Sequence, residues 1–315
     1  MFATDSIAGL SRFGVSRAAL AIGTFDGVHL GHRKVLRTLL DLSREKQAAP
    51  VVMTFDPHPR AVVSPEKAPP LLVSPEEKLR LFAECGMAAA VIVPFSKSFA
   101  ALPAPEFLER CLTGPTEIVG ICVGETWRFG VYGAGDAALL REESVRRGFA
   151  FRPVPELRID GRIVSSTLIR NLIQEGRVRE AARYLGRPCV LRGVVERGFG
   201  VAHGVLECPT ANLTVECGVI PANGVYAARA IMDGERIPAV AAVGSSPTFQ
   251  SYGQRNLLRV EAHLFTDAKP DLYGRGMELE LIDWIREGRA FPGPEDLKKR
   301  IALDVAEAKR ILEVS

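Results

Sequence analysis

The stretch Gly23-Thr24-Phe25-Asp26-Gly27-Val28-His29-Leu30-Gly31-His32 decides the fold of the first half of the chain. It separates a short apolar run, Ala18 to Ile22, from a segment at Arg33 to Ala48 whose apolar residues recur at helical spacing. A helix that begins at two histidines, with a glycine between them, presents backbone N–H groups, a favourable dipole and imidazoles to an anionic phosphate. The stretch predicts a βα unit with a phosphate site. The alternative is a glycine-rich turn that carries two surface histidines.

Strand-like and helical segments alternate around this stretch. A helix start is predicted at Ser74-Pro75-Glu76-Glu77, because serine is a favourable N-cap and proline fits the first helical position. Apolar strands separated by helices predict a parallel sheet that is covered on both faces, which is a Rossmann-like α/β domain. Ligands of such sheets bind beyond the carboxyl ends of the strands. The further strands are predicted at Val51 to Phe55, Ala89 to Phe95, Glu117 to Val123 and Phe149 to Val154, and a further helix at Ala137 to Arg147.

The pattern changes near residue 186. From Val190 onward the apolar runs are short and alternating, with glycine and proline between them, which predicts an antiparallel barrel or a sandwich. An amphipathic helix is predicted at the end, from Pro294 to Glu313. We therefore expect two domains, 1–186 and 187–315.

Composition limits the classes of function. The chain has 315 residues and a formal net charge of only +3, so we expect no wide basic surface and no nucleic-acid partner. Small phosphorylated ligands need only a few placed groups and stay open. The sequence contains neither a membrane-length apolar run nor the pattern of a secretory signal, and its six cysteines form no C-x-x-C pair. These features predict a cytoplasmic protein with reduced cysteines; they do not indicate an oligomeric state.

The stretch from Gly23 to His32 resembles the G-x-F-D-G-x-H-x-G-H signature of bacterial bifunctional riboflavin kinase/FMN adenylyltransferases, within the H-x-G-H nucleotidyltransferases. Three further segments resemble that family in order, Phe55 to Pro59, Val123 to Gly130 and Val164 to Arg170, and the similarity runs on to the C-terminal helix. The resemblance implies FAD biosynthesis. FMN would receive AMP from ATP, with pyrophosphate and Mg²⁺ leaving, and riboflavin would be phosphorylated by ATP in a flavokinase barrel.

The resemblance assigns catalytic roles in the first half to His29, His32 and Arg170. Arginine offers a fixed fork to phosphate oxygens, and the hydroxyls at Ser165 to Thr167 suit a triphosphate, although helix capping explains one of them. Prolines make a rigid loop that suits a flat flavin, and aromatic side chains either stack on a ligand or belong to the core. The family usually has Asp or Asn where this chain has Thr126, and Phe where it has Trp127. The binding residues expected here are Gly23, Phe25, Asp26, Gly31, Pro57, Pro59, Thr126, Trp127, Phe129, Ser165, Ser166 and Thr167.

In the second half, Pro209-Thr210-Ala211-Asn212 matches the family's P-T-A-N. The resemblance implies that Thr210 and Asn212 hold Mg²⁺ and ATP phosphates, with Thr210 as the metal ligand, and that Glu261 is the base for the riboflavin 5′-hydroxyl. A glutamate on an alternating strand is otherwise simply solvent-facing.

The preceding loop, Gly198 to Cys208, departs from the family pattern because the usual basic residue is missing and Glu207-Cys208 replaces Gly-Phe. Ser245-Ser246 likewise stands where Thr-Arg is usual. Three alternatives therefore stay open: an adenylyltransferase whose barrel is only a flavin-binding or assembly module, a non-catalytic flavin sensor, and a transferase for CTP or a modified flavin.

Overall fold

The computed structural model describes residues 1–196, 210–215, 218–245, 258–266, 272–289, 291 and 294–313. The chain divides into two compact units, Met1–Ser166 and Thr167–Ser315. No helix within the described ranges is long and apolar enough to cross a membrane.

The first unit is built on a parallel sheet of six strands. Its strands are β1 (Phe2–Thr4), β2 (Arg17–Ile22), β3 (Ala49–Asp56), β4 (Ala89–Pro94), β5 (Glu117–Gly124) and β6 (Ala150–Val154), followed by a small hairpin, β7 (Arg158–Ile159) and β8 (Arg162–Ile163). Its helices are α1 (Ile7–Leu10), α2 (Leu30–Glu45), α3 (Pro59–Val63), α4 (Pro75–Glu84), α5 (Lys97–Ala100), α6 (Ala104–Leu112) and α7 (Ala137–Arg147). The helix α8 (Ser166–Gln174) begins at the division between the units.

The strand order, β1-β4-β3-β2-β5-β6, places β2 at the point where the chain changes direction across the sheet. Every neighbouring pair in this sheet is parallel. Because β3 lies on one side of β2 and β5 on the other, a crevice opens beyond the carboxyl end of β2, where open α/β sheets bind their ligands. The predicted parallel, Rossmann-like domain is confirmed.

Both faces of the sheet are buried, as a parallel sheet requires. Alternate residues of β2 point to opposite faces, so Leu20 and Ile22 belong to one apolar cluster and Ala19 and Ala21 to the other. The second cluster includes Leu36 and other residues of α2, and this packing fixes the helix against the strand that precedes it.

The start of α4 follows the capping rule that its sequence predicts. Ser74 is the N-cap and its hydroxyl accepts the backbone N–H of Glu77 at 3.2 Å, while Pro75 takes the first helical position. The helix ends before Gly86, which has a φ of +80°, a value that glycine adopts at little cost.

The second unit contains a closed antiparallel barrel, which decides between the barrel and the sandwich that the sequence leaves open. Its strands are β9 (Cys189–Glu196), β10 (Thr210–Val215), β11 (Gly224–Met232), β12 (Glu235–Ser245), β13 (Leu258–Leu264) and β14 (Gly276–Glu287), and its further helices are α9 (Val178–Leu185) and α10 (Pro294–Glu313). The strands close in the order β10-β13-β12-β11-β14-β9.

The helix α9 packs on this barrel. Arg179 forms an ion pair with Asp283 of β14 at 3.1 Å, and a Cβ atom at Gly176 would lie only 2.4 Å from the ring of Trp284. These contacts explain why the compact division falls before α9. The domain boundary at residue 186 stays a prediction.

The C-terminal helix is confirmed, and its contacts with the barrel are both apolar and ionic. Ala308 and Ile311 of α10 pack against Val225 and Ala227 of β11. On the same helix, the buried carboxylate of Asp304 accepts hydrogen bonds from Arg286 of β14 at 2.6 Å and from Arg300 at 3.1 Å.

Candidate functional site

The two histidines of the first unit lie together at the start of α2. His29 is the N-cap, and its Nδ1 accepts the backbone N–H of His32 at 3.2 Å. The proton of a neutral His29 imidazole therefore sits on Nε2. The two rings stack with centroids 3.6 Å apart and planes inclined by 16°.

Within the described part of the chain, the Nδ1 atom of His32 is buried and has no hydrogen-bond partner. A buried polar atom without a partner costs free energy unless a ligand or water satisfies it. Burial, the neighbouring His29 and the charge of Lys78 hold the pKa of His32 well below its usual value. The stretch thus presents a neutral imidazole and a helix N-terminus to one point beyond β2.

Two glycines of the stretch permit close packing. A Cβ atom at Gly31 would lie 3.1 Å from the His29 ring and 3.3 Å from the carbonyl oxygen of Val164. A Cβ atom at Gly23 would lie 3.2 Å from the ring of Phe25. Glycine at these positions lets the histidine and phenylalanine rings lie directly over the backbone.

The segment from Gly23 to His29, between β2 and α2, is called the histidine loop below. Phe25 and Asp26 are buried parts of this loop. Phe25 packs edge-on against the His32 ring with centroids 5.3 Å apart. Asp26 is 1% exposed, and its carboxylate accepts the backbone N–H of Leu72 at 2.9 Å. These contacts hold the loop in place, and a contact of either side chain with a ligand stays a prediction.

Two residues that the sequence analysis missed also hold this loop. The Thr54 hydroxyl and the Lys78 ammonium donate to the same carbonyl oxygen, that of Thr24, at 3.1 and 3.2 Å. Lys78 is only 9% exposed. The signal was available, because residues three and four positions apart share one face of a helix, and Lys78 shares a face with the buried Leu81 and Phe82.

The proline loop follows β3. His58 is the N-cap of α3, and its Nδ1 accepts the backbone N–H of Arg60 at 3.2 Å. Pro59 occupies the first turn of that helix, and Pro57 is exposed. The loop is therefore built by local capping at the carboxyl end of a strand that neighbours β2.

The aromatic residues after β5 form a stack within the core. Trp127 and Phe129 lie with ring centroids 4.9 Å apart and planes inclined by 20°, and Phe107 packs against both. Phe129 is 4% exposed and belongs to the core cluster, whereas Trp127 is half-buried and Thr126 is exposed. Of these three, Phe129 is thus covered by protein in this structure, and Trp127 retains an accessible surface.

The hydroxyl residues lie where the hairpin leads into α8. Ser165 and Ser166 are half-buried and Thr167 is exposed. The Ser166 hydroxyl donates to the carbonyl oxygen of Asp26 at 2.9 Å, so it ties the start of α8 to the histidine loop. Arg170 lies in α8 and its side chain is buried.

Asn212 and Glu261 are direct cross-strand partners in β10 and β13. Residues directly opposite each other project from the same face of an antiparallel pair. Both are half-buried, whereas the residues on either side of them are buried, which places the pair on the outer face of the barrel. Glu196 of β9 is opposite Asn212 on its other side. The flanking buried residues are Ala211, Leu213, Val260 and Ala262.

Thr210 is the first residue of β10, where its backbone is opposite His263. The loop from Gly198 to Cys208, Pro209, and the segment from Ser246 to Phe249 lie outside the described residues, so the departures from the family pattern there stay predictions. Within the described residues, no group of three or more His, Cys, Asp or Glu side chains is arranged to hold a metal ion.

Comparison with known proteins assigns both units. The family model for FAD synthetase matches residues 14–168, and that for riboflavin kinase matches residues 185–312. The bifunctional riboflavin kinase/FMN adenylyltransferase of Escherichia coli (strain K12) is 35% identical over 291 residues, which are 92% of this chain and 91% of that protein. This chain belongs to the bifunctional riboflavin kinase/FMN adenylyltransferase family. The Bacillus subtilis (strain 168) member is 32% identical over 298 residues, 94% of this chain and 92% of that protein.

A solved structure has the same fold over the full length. The crystal structure of a protein from Streptococcus pneumoniae, described as a macrolide-efflux protein, matches with a TM-score of 0.83 and 28% identity, and the match covers 98% of this chain and 99% of that chain.

Membership of the bifunctional family confirms the prediction of an enzyme of FAD biosynthesis. ATP, FMN and riboflavin fit that family as substrates. Both family models match, so two of the alternatives are not favoured. These are a barrel without kinase function and a non-catalytic flavin sensor.

Proposed function

We propose that the chain converts riboflavin to FAD in two steps, with the barrel making FMN and the first unit making FAD. The observation that carries the first unit's role is the histidine pair at the N-terminus of α2, with the buried Nδ1 of His32 lacking a partner in the described residues. A neutral imidazole and a helix N-terminus at one point favour an anionic phosphate group.

In the adenylyl step, a phosphate oxygen of FMN attacks the α-phosphorus of ATP. A new P–O bond forms, the bond to the β-phosphate oxygen breaks, and pyrophosphate carries away the electron pair. His29 and His32 donate hydrogen bonds to the nucleotide phosphates, while Arg170 and the hydroxyls from Ser165 to Thr167 bind the β- and γ-phosphates. The protein contributes alignment and charge neutralisation and forms no covalent intermediate.

The aromatic stack suits the planar part of a substrate. We assign the exposed part of Trp127 to contact with a flavin or adenine ring, with Phe129 supporting it from within the core. Pro57 and Pro59 form a rigid wall at the carboxyl end of β3, because proline fixes φ.

In the kinase step, Glu261 accepts the proton of the riboflavin 5′-hydroxyl, whose oxygen attacks the γ-phosphorus of ATP while the bond to ADP breaks. Asn212, opposite Glu261, orients the phosphates. A Mg²⁺ ion bound there would neutralise phosphate charge, and the nucleotide would supply oxygen ligands to it. Thr210 is the proposed protein ligand of that ion.

A product assay tests both steps. The purified protein receives MgATP with riboflavin in one tube and FMN in another, and chromatography separates FMN from FAD. We expect FAD in both tubes. FAD from FMN alone would refute the kinase step, and no product in either tube would refute the whole proposal. A third tube with CTP and FMN tests the departure at Thr126, and a flavin–cytidine product would overturn the assignment of ATP.

The proposal also places the enzyme in the cytoplasm, and it keeps a domain boundary at residue 186. The family model for FAD synthetase ends at residue 168 and that for riboflavin kinase begins at 185, so neither includes all of α8 or of α9.

A further inference from the structure

A buried lysine lies beneath the histidine loop. Lys78 is in the first half of α4, its side chain is 9% exposed, and its ammonium donates to the carbonyl oxygen of Thr24 at 3.2 Å. Lysine is almost never fully buried in proteins unless its charge is paired. The reaction steps of the proposed function do not use this charge.

The helix α4 contacts the loop at two points, one turn apart. At the first, Lys78 holds the Thr24 carbonyl. At the second, Phe82 packs edge-on against Phe25 with centroids 5.6 Å apart, and Phe25 in turn packs edge-on against His32 at 5.3 Å. A displacement of Lys78 would therefore be transmitted to the histidine through the backbone and through the aromatic rings.

Lys78 and His32 also interact electrostatically. Burial lowers the pKa of Lys78, and the carboxylates of Asp26 and Asp56 act against that effect and favour the ammonium. The charged or titratable groups that lower the pKa of His32 are His29, whose ring is stacked on it, and Lys78. The positive charge of Lys78 therefore acts on a histidine whose ring is already stacked on a second imidazole.

We propose that Lys78 is a positioning residue of the adenylyltransferase site: it fixes the loop through the Thr24 carbonyl and opposes a second positive charge on His32. This inference rests on the proposed function. A neutral His32 keeps one N–H to donate to the bound phosphate, and the Lys78 ammonium holds the loop that carries this histidine.

Three substitutions separate the two roles. Lys78→Gln keeps a donor for the Thr24 carbonyl and removes the charge, Lys78→Met removes both, and Lys78→Arg keeps both. Lys298→Met, at an exposed lysine of α10, is the matched control. Each full-length protein is examined by thermal unfolding, by NMR titration of ¹⁵N-labelled histidine with His32 assigned through His32→Asn, and by the pH profile of FAD formation from FMN.

In Lys78→Gln and Lys78→Met we expect the pKa of His32 to rise, since a neighbouring like charge has been removed. The apparent pKa on the acid side of the kcat profile should rise with the pKa of His32. Lys78→Arg and Lys298→Met should titrate as the unchanged protein does. A merely structural lysine would lower the melting temperature without moving the titration.

An unchanged His32 titration in folded Lys78→Gln overturns the proposal. If Lys78→Met does not fold, Lys78→Gln carries the test. The titration needs no substrate, so a protein that makes no FAD but shows the expected shift refutes the proposed function alone.

Discussion

Asn212 and Glu261 lie directly opposite each other in β10 and β13, on the outer face of the barrel. The sequence separates them widely, and the antiparallel register brings the amide and the carboxylate together. This juxtaposition supports a shared role at the hydroxyl that is phosphorylated, with Glu261 as base and Asn212 beside the phosphates.

Replacing Glu261 tests that role. Glu261→Gln keeps the size of the side chain and removes its basicity, so we expect riboflavin phosphorylation to fall on the order of 100-fold or more, the usual contribution of a general base. FAD formation from FMN should stay as it was, because the proposed function assigns Glu261 to the kinase step only. The two rates are measured on one preparation.

Glu235→Gln is the matched control, since Glu235 is an exposed glutamate at the start of β12. It should leave both rates unchanged. Equal kinase rates in Glu261→Gln and the unchanged protein would remove Glu261 from the reaction.

Adding one methyl group at Gly31 should disturb the histidine pair. Its Cβ would lie 3.1 Å from the His29 ring and 3.3 Å from the Val164 carbonyl, closer than ordinary contact. We expect Gly31→Ala to lower kcat/KM for FAD formation roughly tenfold, because small misplacements of aligned groups are costly. Gly276→Ala is the control, since nothing lies within 4 Å of a Cβ there. A normal rate in Gly31→Ala would show that the pair tolerates displacement.

Much of this arrangement follows from the sequence, and the rest depends on distant contacts. The alternation of apolar strands with capped helices predicts the parallel sheet, because both depend on short-range patterns. The choice between barrel and sandwich depends on pairings such as that of β10 with β9 and β13, which periodicity does not specify. Lys78 has the spacing of a core-facing position but the charge of a surface residue, and only the fold shows that its ammonium reaches Thr24.

The low pKa of His32 makes the stability of the first unit depend on pH. Unfolded, the imidazole titrates near its usual value of about 6.5; folded, its pKa is lower. The unfolded chain therefore binds more protons as the pH falls below that value, and stability decreases by up to about 1.4 kcal/mol per pH unit until the folded pKa is passed. Above pH 7 both states hold a neutral imidazole, and no stability is lost through His32.

Urea unfolding at pH 7.5 and at pH 5.5, in unchanged protein and in His32→Asn, measures the effect. The variant should lose less stability on acidification, and His263, whose pKa burial also lowers, contributes equally to both proteins. The same pH dependence in both would show that His32 titrates alike in the folded and unfolded states.

The ion pair between Arg286 and Asp304 should stabilise the attachment of α10 to the barrel. The Asp304 side chain is 3% exposed and also accepts from Arg300, so removing it leaves two arginines without their carboxylate. We expect Asp304→Ala to lower the free energy of unfolding of the barrel by about 3 kcal/mol or more, the usual cost of breaking a buried pair from one side.

The fluorescence of Trp284, in a Trp127→Phe background, follows the transition in urea. Glu307→Ala on the same helix removes an exposed pair with Arg310 and should leave the midpoint in place. If both variants unfold at the same urea concentration, the ion pairs of Asp304 do not stabilise the attachment of α10 to the barrel.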